Sequence, residues 1–155
     1  MMPTPSRHKN RPASVTHVDF GFTSATEFWH EVVIRARSRF LGHESRQHAV
    51  EAAWAAWHLH EWVWQDKHVG GRASGTDYVA FRDGLLNACP ELAWMRDVAD
   101  AGKHQGLGRP EIKNDPGASE RVATSLRIGI EDKNHDFADA LNRVIGWWRT
   151  HHFPH

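Results

Sequence analysis

The stretch SRQHAVEAAWAAWHLHEWVWQD, residues 45–66, decides the fold. Ser45 stands where a helix N-cap is wanted, and the residues after it predict one long helix. Trp54, Trp57, Trp62 and Trp64 put bulk on nearly every side of it. A helix that is apolar all round is buried, so this one is the central helix of a bundle. Ala49, Ala53 and Ala56 form a stripe of small residues along which a neighbouring helix can approach closely.

The flanking sequence supplies the partners. Ser24 followed by Glu27 is a capping box, and Trp29, Val32, Val33, Ala36 and Phe40 recur at helical spacing until Gly42. A short helix is expected from about Asp77 to Ala88, with Tyr78, Phe81 and Leu85 inward. Pro90 suits the first turn of another, in which Leu92, Met95, Val98 and Ala99 are the apolar positions. Phe137, Ala140, Leu141, Val144, Ile145 and Trp148 mark a last amphipathic helix capped by Asp136. Between these, 106–118 reads as irregular, and the alternation of Leu126, Ile128 and Ile130 predicts a half-buried strand, with DKNHD (132–136) as a turn. The expectation is a mainly α bundle of four to five helices with a small β element near 122–131. Residues 1–22, rich in Pro, Ser and Arg, read as a flexible arm ahead of a single domain over 23–153.

Nineteen basic and nineteen acidic residues cancel, so no global field recruits nucleic acid or an acidic membrane at neutral pH. Thirteen histidines change that balance below about pH 6.5. A single cysteine, Cys89, forms no internal disulfide and fits a reducing compartment, where a buried thiol is the expected state. The first residues carry no apolar run of the signal-peptide kind and no stretch is long enough to span a membrane, so a cytoplasmic location without a membrane partner is expected.

WHLHEW (57–62) has the look of a metal box, but at roughly 100° per residue His58 and His60 point about 200° apart. His58 falls on the polar side with Glu51, Glu61 and Gln65, and His60 on the alanine stripe as a hydrogen-bonded core residue. The helix after Pro90 is the stronger candidate. Arg96, Asp100 and His104 share a face at i, i+4 and i+8, and Asp97 borders it. A carboxylate beside an imidazole fixes its tautomer for acid–base work, and a guanidinium grips phosphate by a bidentate contact. The competing reading is a solvent-facing row of helix ion pairs. A third possibility gathers Glu27, His30, Glu31, Glu51, Asp97, Asp100 and His104 into a metal site, Glu27, His30, Asp97, Asp100 and His104 being its nearest set. Only one Glu-x-x-His spacing, Glu27 to His30, is present for it. No cofactor is called for.

An arginine followed by a polar residue and then a histidine near a helix end, within a small helical bundle, resembles the HEPN family over about residues 24–105. Arg96 and Asp97 match the start of that motif, but seven residues separate Arg96 from His104, more than the family spacing. Arg37, Ser38 and His43, with five residues between Arg37 and His43, fall within it. The resemblance implies a dimeric bundle, in many members a metal-independent ribonuclease of toxin–antitoxin or defence systems. In that scheme Arg96 and His104, or alternatively Arg37 and His43, act on an RNA phosphodiester. The partners it implies are RNA or a nucleotide, a second copy of the chain and an antitoxin-type protein. The contrasting class is a non-catalytic interaction module that docks a partner on exposed aromatics such as Trp147 and Trp148.

Overall fold

A computed structural model of the chain describes residues 21–68, 73–104, 112–113, 127–130 and 133–155. Five helices and a small antiparallel sheet make up these residues. Helix α1 spans 25–42 in three parts: an α-helical start (Ala25–Phe28), a π-helical turn (Trp29–Ile34) and an α-helical end (Arg35–Gly42). It is followed by α2 (Arg46–Lys67), α3 (Thr76–Ala88), α4 (Glu91–His104) and α5 (Phe137–His151). Strands β1 (Ile112–Lys113), β2 (Arg127–Ile130) and β3 (Lys133–Asp136) pair in the order β1-β2-β3.

Helix α2 is the central helix. It packs most extensively on α4, and also on α1, α5 and α3. Ser45 caps it by accepting the His48 N–H at 3.1 Å. Ala49, Ala52, Ala53, Ala55 and Ala56 are all buried, which lets the surrounding helix backbones close in. Where α5 crosses, Trp148 is fully buried and its indole N–H donates to the Ala56 carbonyl at 3.2 Å. Trp148 is therefore a core anchor, which corrects its expected part in an exposed docking surface. An aromatic at the end of an amphipathic stripe continues that stripe, and here the indole N–H also finds a buried acceptor.

The capping box of α1 forms one residue out of register. Ser24 accepts the Glu27 N–H at 3.2 Å, but the Glu27 carboxylate accepts the Thr23 N–H at 2.7 Å. The Ala25 N–H goes to Asp66 at 2.9 Å, tying the start of α1 to the end of α2. Trp29, Val33, Ala36 and Phe40 are buried as their spacing predicts, whereas the π turn was not legible in the periodicity. Phe22, counted with the N-terminal arm, packs edge-on against Phe28 and Trp62. Within the stretch read as irregular, Ile112–Lys113 is instead strand β1, paired antiparallel with β2. The rest of the arm reading, the remainder of 106–118 and the strand residues before 127 lie outside the described residues.

A further expectation is corrected. DKNHD is not simply a turn: Lys133–Asp136 pairs with β2 in the register Arg127↔Asp136 to Ile130↔Lys133. Ile128 is buried in β2, and a strand holding a core residue needs a hydrogen-bonding neighbour, which β3 supplies with a polar, partly solvated strand. Asp136 still caps α5, accepting the Asp139 N–H at 3.1 Å. The end of α5 is tied down as well. The His151 ring bonds the Trp147 carbonyl, and Phe153 is buried, stacked on Trp29 with centroids 4.9 Å apart.

Candidate functional site

Helices α1 and α4 flank α2 without closing over one side of it, leaving a cleft of about 700 Å³. Its α1 wall is Val32, Ala36 and Arg39, with Val32 contributed by the π turn. The α2 floor presents Val50, Glu51, Trp54, Trp57 and His58. The α4 wall is Arg96, Ala99, Asp100 and Gly102. The volume is that of a small-molecule pocket, mostly apolar with a few polar groups, the usual character of a ligand site.

The cleft has two chemically different ends. At one, Arg39 Nε lies 3.9 Å from Glu51 and Gln47 donates to Glu51 at 3.0 Å. Gly102 lies there too, against Val50. At the other, the Arg96 guanidinium lies over the Trp57 ring, 5.8 Å from its centroid, and donates from Nε to Asp97 at 3.0 Å. His58 stands at this same end, its Nδ1 bonded to Glu61 at 3.0 Å. That bond to His58, as the largest influence, holds the Glu61 carboxyl below its ordinary pKa. At 1.5 Å rise per residue, Glu51 and His58 are separated by about 10 Å along the helix. Between them Trp54, with His58 and Phe28 tilted against its ring, is still 47% exposed.

The expected site residues fall into three groups. Arg96 and Asp100 line the cleft and Asp97 is bonded to Arg96, while the side chain of His104 lies outside the described ones. Arg37 and His43 are engaged elsewhere: Arg37 donates to Asn142 on α5 at 2.9 Å, and the His43 ring packs edge-on against His48. Of the metal set, Glu27 serves as a helix cap and His30 is exposed on α1. Among the described residues no three His, Cys, Asp or Glu side chains are grouped to hold a metal ion.

His60 is the buried hydrogen-bonded histidine that its place on the alanine stripe predicts. The Trp57 carbonyl only accepts, so Nδ1 carries the proton, and Nε2 accepts the Tyr78 hydroxyl at 2.6 Å. Burial pushes its pKa below the usual histidine value. Cys89 is buried beneath the start of α4, and burial pushes its thiol up, away from nucleophilic use. Sequence reasoning missed Arg39, Trp54, Trp57 and His58 as a group, because they converge only once α1 and α4 are laid along α2. The available signal was the outward face of α2, Glu51, Trp54 and His58 at i, i+3 and i+7, which is too wet for a core stripe.

Comparison with protein-family models, with curated proteins and with solved structures found no match. Among the described residues no helix is long and apolar enough to cross a membrane.

Proposed function

We propose that the cleft between α1, α2 and α4 binds a nucleotide, free or as part of a single-stranded RNA. The observation that carries this reading is the meeting of an exposed indole, Trp54, with the Arg96 guanidinium and the His58 imidazole in one pocket of nucleotide size. Bases stack on aromatic faces at about 1–3 kcal/mol each, and arginine grips phosphate oxygens with a planar fork of donors. Most of the cleft is apolar, which suits a base, and its cationic groups suit a phosphate. The resemblance to HEPN proteins points the same way.

Calorimetry with nucleoside monophosphates and the matching nucleosides tests the reading. The phosphate esters bind and the nucleosides bind at least about tenfold more weakly; Arg96→Ala brings the two to the same weak affinity. Absence of binding by any monophosphate up to millimolar concentration overturns the proposal.

RNA cleavage is the finer form of the same reading. A histidine takes the 2′-hydroxyl proton as that oxygen bonds to phosphorus, the 5′-oxygen leaves with a proton returned to it, and Arg96 steadies the phosphoryl charge. His104, on the helix of Arg96, and His58, held by Glu61, are the two histidines to test. In EDTA, His104→Ala or His58→Ala slows cleavage of a single-stranded RNA; equal rates in wild type and both variants remove these histidines from any such chemistry.

A further inference from the structure

Each end of the cleft sets an arginine beside a carboxylate, directly bonded at Arg96–Asp97 (3.0 Å) and looser at Arg39–Glu51 (3.9 Å), and that difference selects a base. We infer that the cleft is selective for guanosine phosphates, with phosphate at the Arg96–His58 end and the base edge at the Arg39–Glu51 end. This rests on the nucleotide-binding reading above and adds an orientation and a specificity to it.

The phosphate belongs at the Arg96 end because the other end carries Glu51, with Asp100 one turn along α4 from Arg96 towards it. A dianion set beside Glu51 meets a like charge, whereas Arg96 donates to it, and His58 does so as an imidazolium. His58 is oriented for this, since Glu61 occupies Nδ1 and leaves Nε2 as the ring nitrogen for a ligand. The gap of about 10 Å between the ends matches the reach from a 5′-phosphate to the far edge of a stacked base, and Trp54 lies between.

At the Arg39–Glu51 end the chain presents a cation beside an acceptor-only carboxylate. Glu51 has about four lone-pair sites, of which Gln47 uses one, so a bidentate contact remains open to it. Guanine alone among the four RNA bases offers two adjacent donors, N1–H and the N2 amino group, followed by an acceptor, O6. The donors match Glu51 and the acceptor matches Arg39. Adenine and cytosine set a ring-nitrogen acceptor beside their amino donor, and uracil has a single donor between two acceptors. Each of these points a lone pair at the carboxylate, and an unmatched polar group in a binding site is strongly rejected.

The test measures binding of GMP, IMP and AMP to the full chain and to Glu51→Gln, with circular dichroism to establish that the variant is folded. GMP binds about tenfold or more tighter than AMP, and IMP, which keeps N1–H but lacks the amino group, falls between. Glu51→Gln removes the preference, weakening GMP and relieving AMP of the lone-pair clash with the carboxylate. Equal affinity for GMP and AMP, or a preference that survives Glu51→Gln, overturns the inference. If those equal affinities are still lost in Arg96→Ala, the nucleotide reading stands and only the guanine assignment fails; no binding of any nucleotide removes both. A single-stranded tetramer with one guanosine, set against its adenosine counterpart, distinguishes the sources. Tighter binding of the guanosine tetramer than of GMP assigns the site to RNA, and GMP alone binding assigns it to the free nucleotide.

Discussion

Gly102 comes so close to α2 that a Cβ built on it would meet Val50 Cγ1 at 2.6 Å and Cγ2 at 2.8 Å. Valine is branched at Cβ and has no flexible end to swing away, so the two helices must separate to admit a methyl group. Gly102→Ala is expected to destabilise the protein by about 1–3 kcal/mol, as overpacking does, and to narrow the cleft. Gly146 in α5 is the control, because a Cβ there meets nothing within 4 Å. Gly146→Ala should stabilise by about 0.5–1 kcal/mol through lost chain entropy alone. Urea denaturation of both variants checks the pair, and the same sign for both would refute it. His60 sets a pH dependence. Burial lowers its pKa in the folded state, so below about pH 6.5 the unfolded chain binds a proton that the folded chain resists. Its stabilising contribution is complete above that pH and is lost as the pH falls towards the lowered folded value, with a slope approaching about 1.4 kcal/mol per pH unit for one proton. His152, lowered chiefly by burial, adds in the same direction. The groups acting on His60 are Glu61 and His58 on its own helix and Arg82 and Tyr78 on α3. Denaturation midpoints between pH 8 and pH 5 should fall for the wild type, and His60→Phe should flatten that fall by about one proton.

Along the helices, tryptophan and histidine recur one turn apart. Trp54 and His58, Trp64 and His68, and Trp147 and His151 are i, i+4 pairs whose ring centroids lie 4.9, 3.7 and 4.7 Å apart. Three of the thirteen histidines thus pack on the indole one turn before them. The same pattern ends α5: past His151, the Phe153 N–H bonds the Trp148 carbonyl at 3.1 Å and turns the chain so that the phenyl ring reaches Trp29. The last helix is thereby closed onto the first. Phe153→Ala should cost about 3 kcal/mol, the low end for a buried phenylalanine, because the site sits at the rim of the core. A loss below about 0.5 kcal/mol in thermal or urea unfolding would mean that the C-terminal ring only rests on the surface. Helices α2, α4 and α5 were readable in the sequence because each carries both a cap or breaker and an apolar stripe: Ser45, Pro90 and Asp136 mark the starts. The π turn at Trp29–Ile34 was not, since one residue added to a turn leaves no trace in a period so short. The pairing of β3 was hidden for a related reason. Lys133, Asn134 and His135 are ordinary turn residues, and only the buried Ile128 opposite them demands a strand.

At the scale of the molecule, the cleft is a consequence of arrangement and not of any one segment. Arg96 and Asp100 could be placed on one helix face from their spacing, but Arg39, Trp54 and His58 joined them only when α1 and α4 lay either side of α2. Sequence periodicity ranks faces as wet or dry; it does not say which wet faces meet. This limits how far a motif such as arginine followed by histidine can be read from spacing. Arg37 and His43 have the better spacing, yet their side chains engage α5 and His48 respectively. Global charge gives the proposed function a further handle that does not depend on which histidine acts. The protein carries nineteen basic and nineteen acidic residues, so it is neutral at pH 7, and its thirteen histidines add positive charge as the pH falls, with His60 and His152 lagging. RNA bound to this surface by phosphate contacts should therefore be held more tightly at pH 6 than at pH 8. The log–log dependence of affinity on salt should also steepen, since more counterions are released per complex. Filter binding of a single-stranded RNA at the two pH values, each over a range of salt, measures both. The lower pH stays close enough to 6.5 that the stability lost through His60 is small. An affinity that is the same at both pH values and indifferent to salt would leave the cleft without an electrostatic hold on phosphate, and with it the case for RNA as the ligand.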